Sequence, residues 1–215
     1  MSDPNSGEAA FMGRMTAGVT HEMKNVLAII KESAGLIDDL LALTKDRPLP
    51  NQERLTRVLS NIKQQVDRGV DLSTRLNAFA HCADARQAEV DLNTVVDAVT
   101  RLLQRFARLK GVVLSAKPQA EPVILVSDPL RMHMLLVDCV DCLLAFLPTG
   151  TTVRIEPLKT ANGRVKVSFS SEGSQPCPSE LPAPSAPAGL LRSAEILKGT
   201  IEPGEPPVWL TLVFD

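Results

Sequence analysis

The sequence predicts an α plus α/β protein: an N-terminal helical hairpin that pairs with a second copy into a four-helix bundle, followed by an α/β layer. Three observations carry this. Of the sixteen prolines, only Pro4, Pro48 and Pro50 fall in residues 1–110, so the first half is free to be helical and the second is not. Apolar residues in the first half recur in steps of three and four. In the second half, short alternating runs and turn signals interleave with helical stretches.

Residues 1–9 are polar and read as a disordered N-terminus, and the hairpin spans residues 10–87. From Phe11 to Thr44 the apolar seam runs through Met15, Val19, Met23, Val26, Ile30, Ala34, Ile37 and Leu41. Pro48 and Pro50 end this helix, and Asn51 can cap the next. Leu55, Leu59, Ile62, Val66, Val70 or Gly69, Leu76 and Phe79 then repeat the spacing. Two helices of about 30 residues, each roughly 45 Å long, leave much of their apolar stripe uncovered. A second copy of the chain covers it most economically, which makes the expected state a homodimer.

Residues 88–215 form the α/β domain. VDLNTVVDAVTRLLQRFARLKG reads as a helix with Asp91 or Asn93 near its start and Gly111 at its end. Two β-like runs, VVLSA and VILVS, precede a buried helix from about Pro129 to Phe146. TTVRIEPL and RVKVSFSS then pair through a turn at Asn162 and Gly163. The segment rich in Pro, Ser and Ala around 176–187 reads as an irregular loop. A short helix (Leu190–Leu197) and the strands GTIEP and VWLTLVF complete the layer.

Composition excludes several functions. The 215 residues are 44% hydrophobic and 22% charged with a net charge of −2, the balance of a globular chain. With six Phe, one Trp and no Tyr there is little to stack on nucleobases, so no nucleic-acid partner is expected. No stretch of about 18 apolar residues offers a membrane span, and the start lacks signal-peptide regions, so the expected location is the cytoplasm with no membrane partner. Cys82, Cys139, Cys142 and Cys177 form no disulfide framework. Cys139 and Cys142 lie in an apolar run and read as core residues rather than metal ligands.

His21, in GVTHEMKNVLA, lies about 160° around the helix from both Val19 and Met23, so it points away from the seam. Asn25 shares its face one turn on, and Glu22 sits about 100° around. An imidazole can take a phosphoryl group on one ring nitrogen while a neighbour orients the other. Spacing alone favours a solvated helix face that happens to carry these residues. His81 and His133 lack such neighbours and read as structural.

MGRMTAGVTHEMKNVLAII resembles the phospho-acceptor motif of two-component histidine kinases, in which a small-residue run leads into His-Glu-x-x-Asn; the matching residues are Gly18, His21, Glu22 and Asn25. The family's usual proline after the asparagine is Val26 here. The resemblance extends over residues 10–215: VDLNTVVDAV resembles the entry helix of the family's ATP-binding domain, and SDPLRMHMLLVDCVDCLLAF the helix with its asparagine motif. The chemistry is not retained. The two asparagine positions are Asp138 and Asp141. The adenine-reading aspartate is Ser171, Gly173 is kept, Gln175 replaces the next glycine, and only Gly189 remains of the last glycine motif. The resemblance therefore implies a degenerate, histidine-kinase ATPase-like α/β sandwich that binds no nucleotide, cofactor or metal.

The resemblance implies a histidine phosphotransferase of a phosphorelay. His21 takes phosphoryl from one receiver-domain aspartate and passes it to another, without ATP, while the response-regulator receiver supplies Mg2+. Glu22 orients or deprotonates the imidazole, Asn25 lines the transfer site, and Arg14, Lys24 and Lys31 flank it as partner-binding cations. A hybrid histidine kinase is a further expected partner. The alternatives are a phosphatase of receiver aspartyl phosphate, through Glu22 and Asn25, and a non-catalytic pseudokinase that binds a partner through its bundle.

Overall fold

The computed structural model describes residues 4–42, 52–171, 187–204 and 208–214, with the side chains of 4–6 left aside. The element order is α1 (Pro4–Ala42), α2 (Gln52–His81), β1 (Ala88–Asp91), α3 (Leu92–Leu109), β2 (Val113–Ala116), β3 (Ile124–Ser127), α4 (Pro129–Phe146), β4 (Thr152–Lys159), β5 (Val165–Ser171), α5 (Ala188–Ile196), β6 (Gly199–Pro203) and β7 (Val208–Phe214). The chain divides into two compact units, Ala9–His81 and Cys82–Asp215 with Met1–Glu8. The turn expected at Pro48, Pro50 and Asn51 lies outside the described residues, as do Gly173, Gln175, Cys177 and most of the proline-rich loop.

The first unit is the antiparallel hairpin of α1 and α2. Phe11 meets Phe79 with ring centroids 5.6 Å apart, and Asn61 Nδ2 donates to Ser33 Oγ at 3.1 Å. The helix begins at Pro4, which corrects the expected disorder of residues 4–9. Proline suits a first helical turn because its missing N–H has no intrahelical partner to lose.

The seam also needs correction. Phe11, Met15, Val19 and Val26 of α1 are buried, but the line then passes through Ser33, while Ala34 and Leu41 are exposed. On α2 the buried positions are Val58, Leu72 and Phe79, and the expected seam residues Leu59, Val66 and Val70 are exposed. The cause is that each helix carries two adjacent apolar stripes, and a reading by period merges them. One stripe closes the hairpin. The other, with Leu27, Leu41, Leu59, Val66 and Val70, faces out.

The second unit is built on a five-stranded sheet in the order β2-β4-β5-β7-β6, parallel between β2 and β4 and antiparallel elsewhere, with β1 and β3 forming a separate antiparallel pair. Every other residue of β4 (Val153, Ile155, Pro157) and of β5 (Val165, Val167, Phe169) is buried, as the two-residue period of a strand with one covered face requires. The helices supply that cover: α3 packs on α4, β2 and β4, and α4 on α5. Leu92, Met132, Leu135, Leu136, Phe169 and Leu212 form the dry centre.

Asp91 caps α3 through Asn93 N and also accepts from Val123 N, whereas the Asn93 side chain ties down the backbone at Gln119 and Glu121. The sequence left Asp91 and Asn93 as alternatives; the structure gives each its own task. Asp128 caps α4, with Pro129 at the first position. Gly111 holds φ +70, and a Cβ there would lie 2.9 Å from Thr149. Glu8 belongs to this unit, where Arg86 and Arg131 donate to it at 2.7 and 3.0 Å. The Arg86 hydrogen bond, with help from Arg131, holds its carboxyl below the usual carboxylate range.

Candidate functional site

The residues expected at the site are carried by the middle of α1, from Arg14 to Lys31, within the hairpin unit. Val19 and Val26 anchor this stretch in the seam, and a helical turn of 3.6 residues then swings His21 outward. His21 is exposed. Asn25, also exposed, places its Nδ2 3.4 Å from His21 Nδ1. A carboxamide can present either its nitrogen or its oxygen to a ring nitrogen, according to the imidazole tautomer. When Nδ1 carries the proton, the Asn25 oxygen accepts it, and the Nε2 lone pair is left as the nucleophile.

Glu22 is placed differently from its expected role. Its carboxylate is turned to the hairpin seam, where Arg68 Nη2 of α2 donates to Oε1 at 2.7 Å. The structure thus brings His21 and Asn25 together and pairs Glu22 across the hairpin. Arg68 was not singled out from the sequence. A signal existed: reflecting the chain through the break near Pro48 puts Glu22 within two turns of Arg68, and the charges are opposite.

Arg14, Lys24 and Lys31 are all exposed along α1. The Arg14 guanidinium lies 5.9 Å from the centroid of the Phe11 ring, the outer range of a cation–π contact. Glu22 is the one carboxylate between Glu8 and Glu32, so this length of α1 is otherwise basic.

Asp138 is half-buried and Asp141 exposed on α4. Ser171 ends β5, is 5% exposed, and its Oγ has no hydrogen-bond partner. Gly189 lies in the first turn of α5 with open space around the position of a Cβ.

Of the other described histidines and cysteines, His133 and Cys139 are buried. The Nδ1 of His133 lies 2.8 Å from the Pro129 carbonyl oxygen, to which it donates when protonated. Burial pushes its pKa down, against the hydrogen bond that raises it. His81 is exposed at the end of α2. Cys139 is buried and Cys142 half-buried on α4, both as free thiols whose pKa burial pushes up. Among the described residues no group of three His, Cys, Asp or Glu side chains is placed to hold a metal ion, and no helix is long and apolar enough to cross a membrane.

No protein-family model matches the chain. Among solved structures, the Acinetobacter baumannii histidine kinase AdeS is similar at 16% identity, with a TM-score of 0.48 over 91% of this chain and 97% of that one. The cytoplasmic segment of histidine kinase QseC is similar at 14% identity and a TM-score of 0.44, over 86% of this chain and 91% of that one. Histidine kinase ThkA, solved in complex with response regulator protein TrrA, is similar at 18% identity and a TM-score of 0.48, over 98% of this chain and 63% of that one.

Proposed function

We propose that the chain acts in two-component signalling as a dimeric histidine phosphotransferase, with His21 as the phosphoryl carrier. The observation that carries this reading is the exposed His21 ring with the Asn25 carboxamide at its Nδ1, on a helix face that is basic apart from one neutralised carboxylate. His21 Nε2 attacks the phosphorus of a receiver's aspartyl phosphate. The Nε2–P bond forms as the P–O bond breaks, and the aspartate carboxylate leaves with the electron pair. Reversal onto a second receiver's aspartate completes the relay. The receiver brings its Mg2+ and its acidic pocket, and Arg14, Lys24 and Lys31 meet that acidic surface.

In this reading ATP takes no part: the carboxylates of Asp138 and Asp141 on α4 oppose a polyphosphate, and the buried Ser171 hydroxyl stands where the resemblance places an adenine-reading carboxylate. Dimerisation is supported by the outward stripe of Leu27, Leu59, Val66 and Val70, which a second copy covers as a four-helix bundle.

The experiment mixes the protein with receiver domains radiolabelled at their aspartate and follows the label. Wild-type protein should take it up and His21→Ala should not. Equal labelling of the two sinks the proposal. Loss of receiver phosphate that needs Asn25 but not His21 would instead establish a phosphatase. Regulation that survives the double change His21→Ala, Asn25→Ala would leave a pseudokinase that acts by binding.

A further inference from the structure

The Glu22–Arg68 pair assigns a role to a residue of α2. We propose that Arg68 is a positioning residue for phosphoryl transfer at His21: it draws the Glu22 carboxylate into the hairpin seam and cancels its charge beside the imidazole. This rests on the reading of His21 as the phosphoryl carrier.

The argument is electrostatic. Every phosphoryl donor that approaches His21 is an anion. Glu22 is the next residue, and it is the one carboxylate on α1 between Glu8 and Glu32, among Arg14, Lys24 and Lys31. Unpaired, it would repel the donor from the turn where attack takes place. Arg68 Nη2 lies 2.7 Å from Glu22 Oε1, and the carboxylate's side chain is 22% exposed whereas the arginine's is 50% exposed. The pair therefore withdraws the anion and leaves a cation at the rim. On α2, Asp71 is held at both oxygens by Arg75 at 2.8 Å, and Asp67 stays exposed. A half-exposed pair contributes little to stability, so its removal should leave the hairpin folded. Its influence falls on an approaching charge.

The pairing also inverts the expected effect of Glu22. A general base at that position would make Glu22→Gln slow. A carboxylate neutralised by Arg68 makes Glu22→Gln as fast as wild type or faster, because the variant leaves a net positive turn.

The test uses the full chain and potassium phosphoramidate, a small anionic donor that phosphorylates imidazole without a receiver. The N–P bond to His21 forms as the donor's P–N bond breaks, and ammonia departs with a proton from the ring. Phosphohistidine formation is followed by phosphorus NMR, with His21→Ala as the blank. At about 0.01 M ionic strength, Arg68→Ala should slow the reaction by about three- to tenfold, the order expected for one uncompensated charge at a solvated surface. Arg68→Lys should retain the rate, Arg68→Ala with Glu22→Gln should recover it, and about 1 M salt should erase the differences, since screening then acts within about 3 Å. A slow Glu22→Gln variant, or a double variant as slow as Arg68→Ala, overturns the proposal. If Arg68→Ala loses its helical circular dichroism, Glu22→Gln and Arg68→Lys still decide the matter. Failure of the underlying reading is distinct: His21 would react with phosphoramidate and never with a phosphorylated receiver.

Discussion

The two units of this chain solve the problem of burial in opposite ways. The α/β unit finishes a dry centre within itself: Leu92, Met132, Leu135, Phe169 and Leu212 are all at 0% exposure, while Phe106, Leu109, Val126 and Phe146 stand exposed at its surface. The hairpin buries Phe11, Met15, Val19, Val26, Val58, Leu72 and Phe79, but it places Ser33, Asn61, Gln65 and the Glu22–Arg68 pair along its seam. Meanwhile Leu27, Leu59, Val66 and Val70 stand in water at 46–62% exposure. The α/β unit holds a finished core as one copy, and the hairpin is physically unfinished. The proposed chemistry lies on the unfinished unit, on the face of α1 turned away from both stripes.

This contrast can be broken most severely from the side of the complete core. Phe169→Ala removes a fully buried ring from the sheet and should cost about 3–5 kcal/mol. Trp209, the one tryptophan, is 3% exposed on β7 of the same unit, so its fluorescence in a urea titration reports that loss directly. Helical circular dichroism beyond the Trp209 transition should then report the hairpin. Coincident loss of both signals would show that the units do not differ as described.

The hairpin side gives the next largest effect. Val66→Glu puts a charge on the outward stripe of each copy and should weaken self-association by about a hundredfold, since two valines lose roughly 1.5 kcal/mol or more of burial apiece. Sedimentation over a dilution series measures it, and the α/β unit's unfolding midpoint should stay put. A wild-type protein that sediments as a monomer at every concentration would remove the dimer from the proposal.

The smallest effect concerns His133, the titratable group inside the complete core. Burial lowers its pKa in the folded protein below the unfolded value of about 6.5. As pH falls through that value the unfolded chain takes up the proton first, so stability declines from about pH 6.5 downward and recovers as pH rises. The slope contributed by this one group is at most about 1.4 kcal/mol per pH unit. Urea midpoints at a series of pH values should show it, and His133→Gln should flatten the curve.

The α/β unit was nearly all legible because its signals are local. Asp128-Pro129 announces a helix start, Asn162-Gly163 a hairpin, and the alternation in TTVRIEPL a half-buried strand; all three appear in the structure. Strand β1 escaped notice since its four residues AEVD carry only one buried side chain, Val90, and are defined by pairing with the distant β3. In the hairpin the period revealed two helices but not which of two neighbouring stripes faced the partner helix. That choice depends on how α1 and α2 meet, and the polar contacts Ser33–Asn61 and Glu22–Arg68 sit among the buried positions without any apolar signature. The exposure of His21 and its closeness to Asn25 followed from helical geometry alone. The pairing of Glu22 did not, because it requires a residue forty-six positions away.

The hydrogen bond from Asn61 to Ser33 has a mechanical side. Apolar seams are slippery: a helix can rotate or creep along them while its contacts fade gradually. A directional bond offers no such gradation, since a small shift of α2 along α1 breaks it outright and leaves two partly buried polar groups stranded. The hairpin is thus notched rather than greased at Ser33 and Asn61, so a slide of α2 along α1 there meets a step rather than a slope.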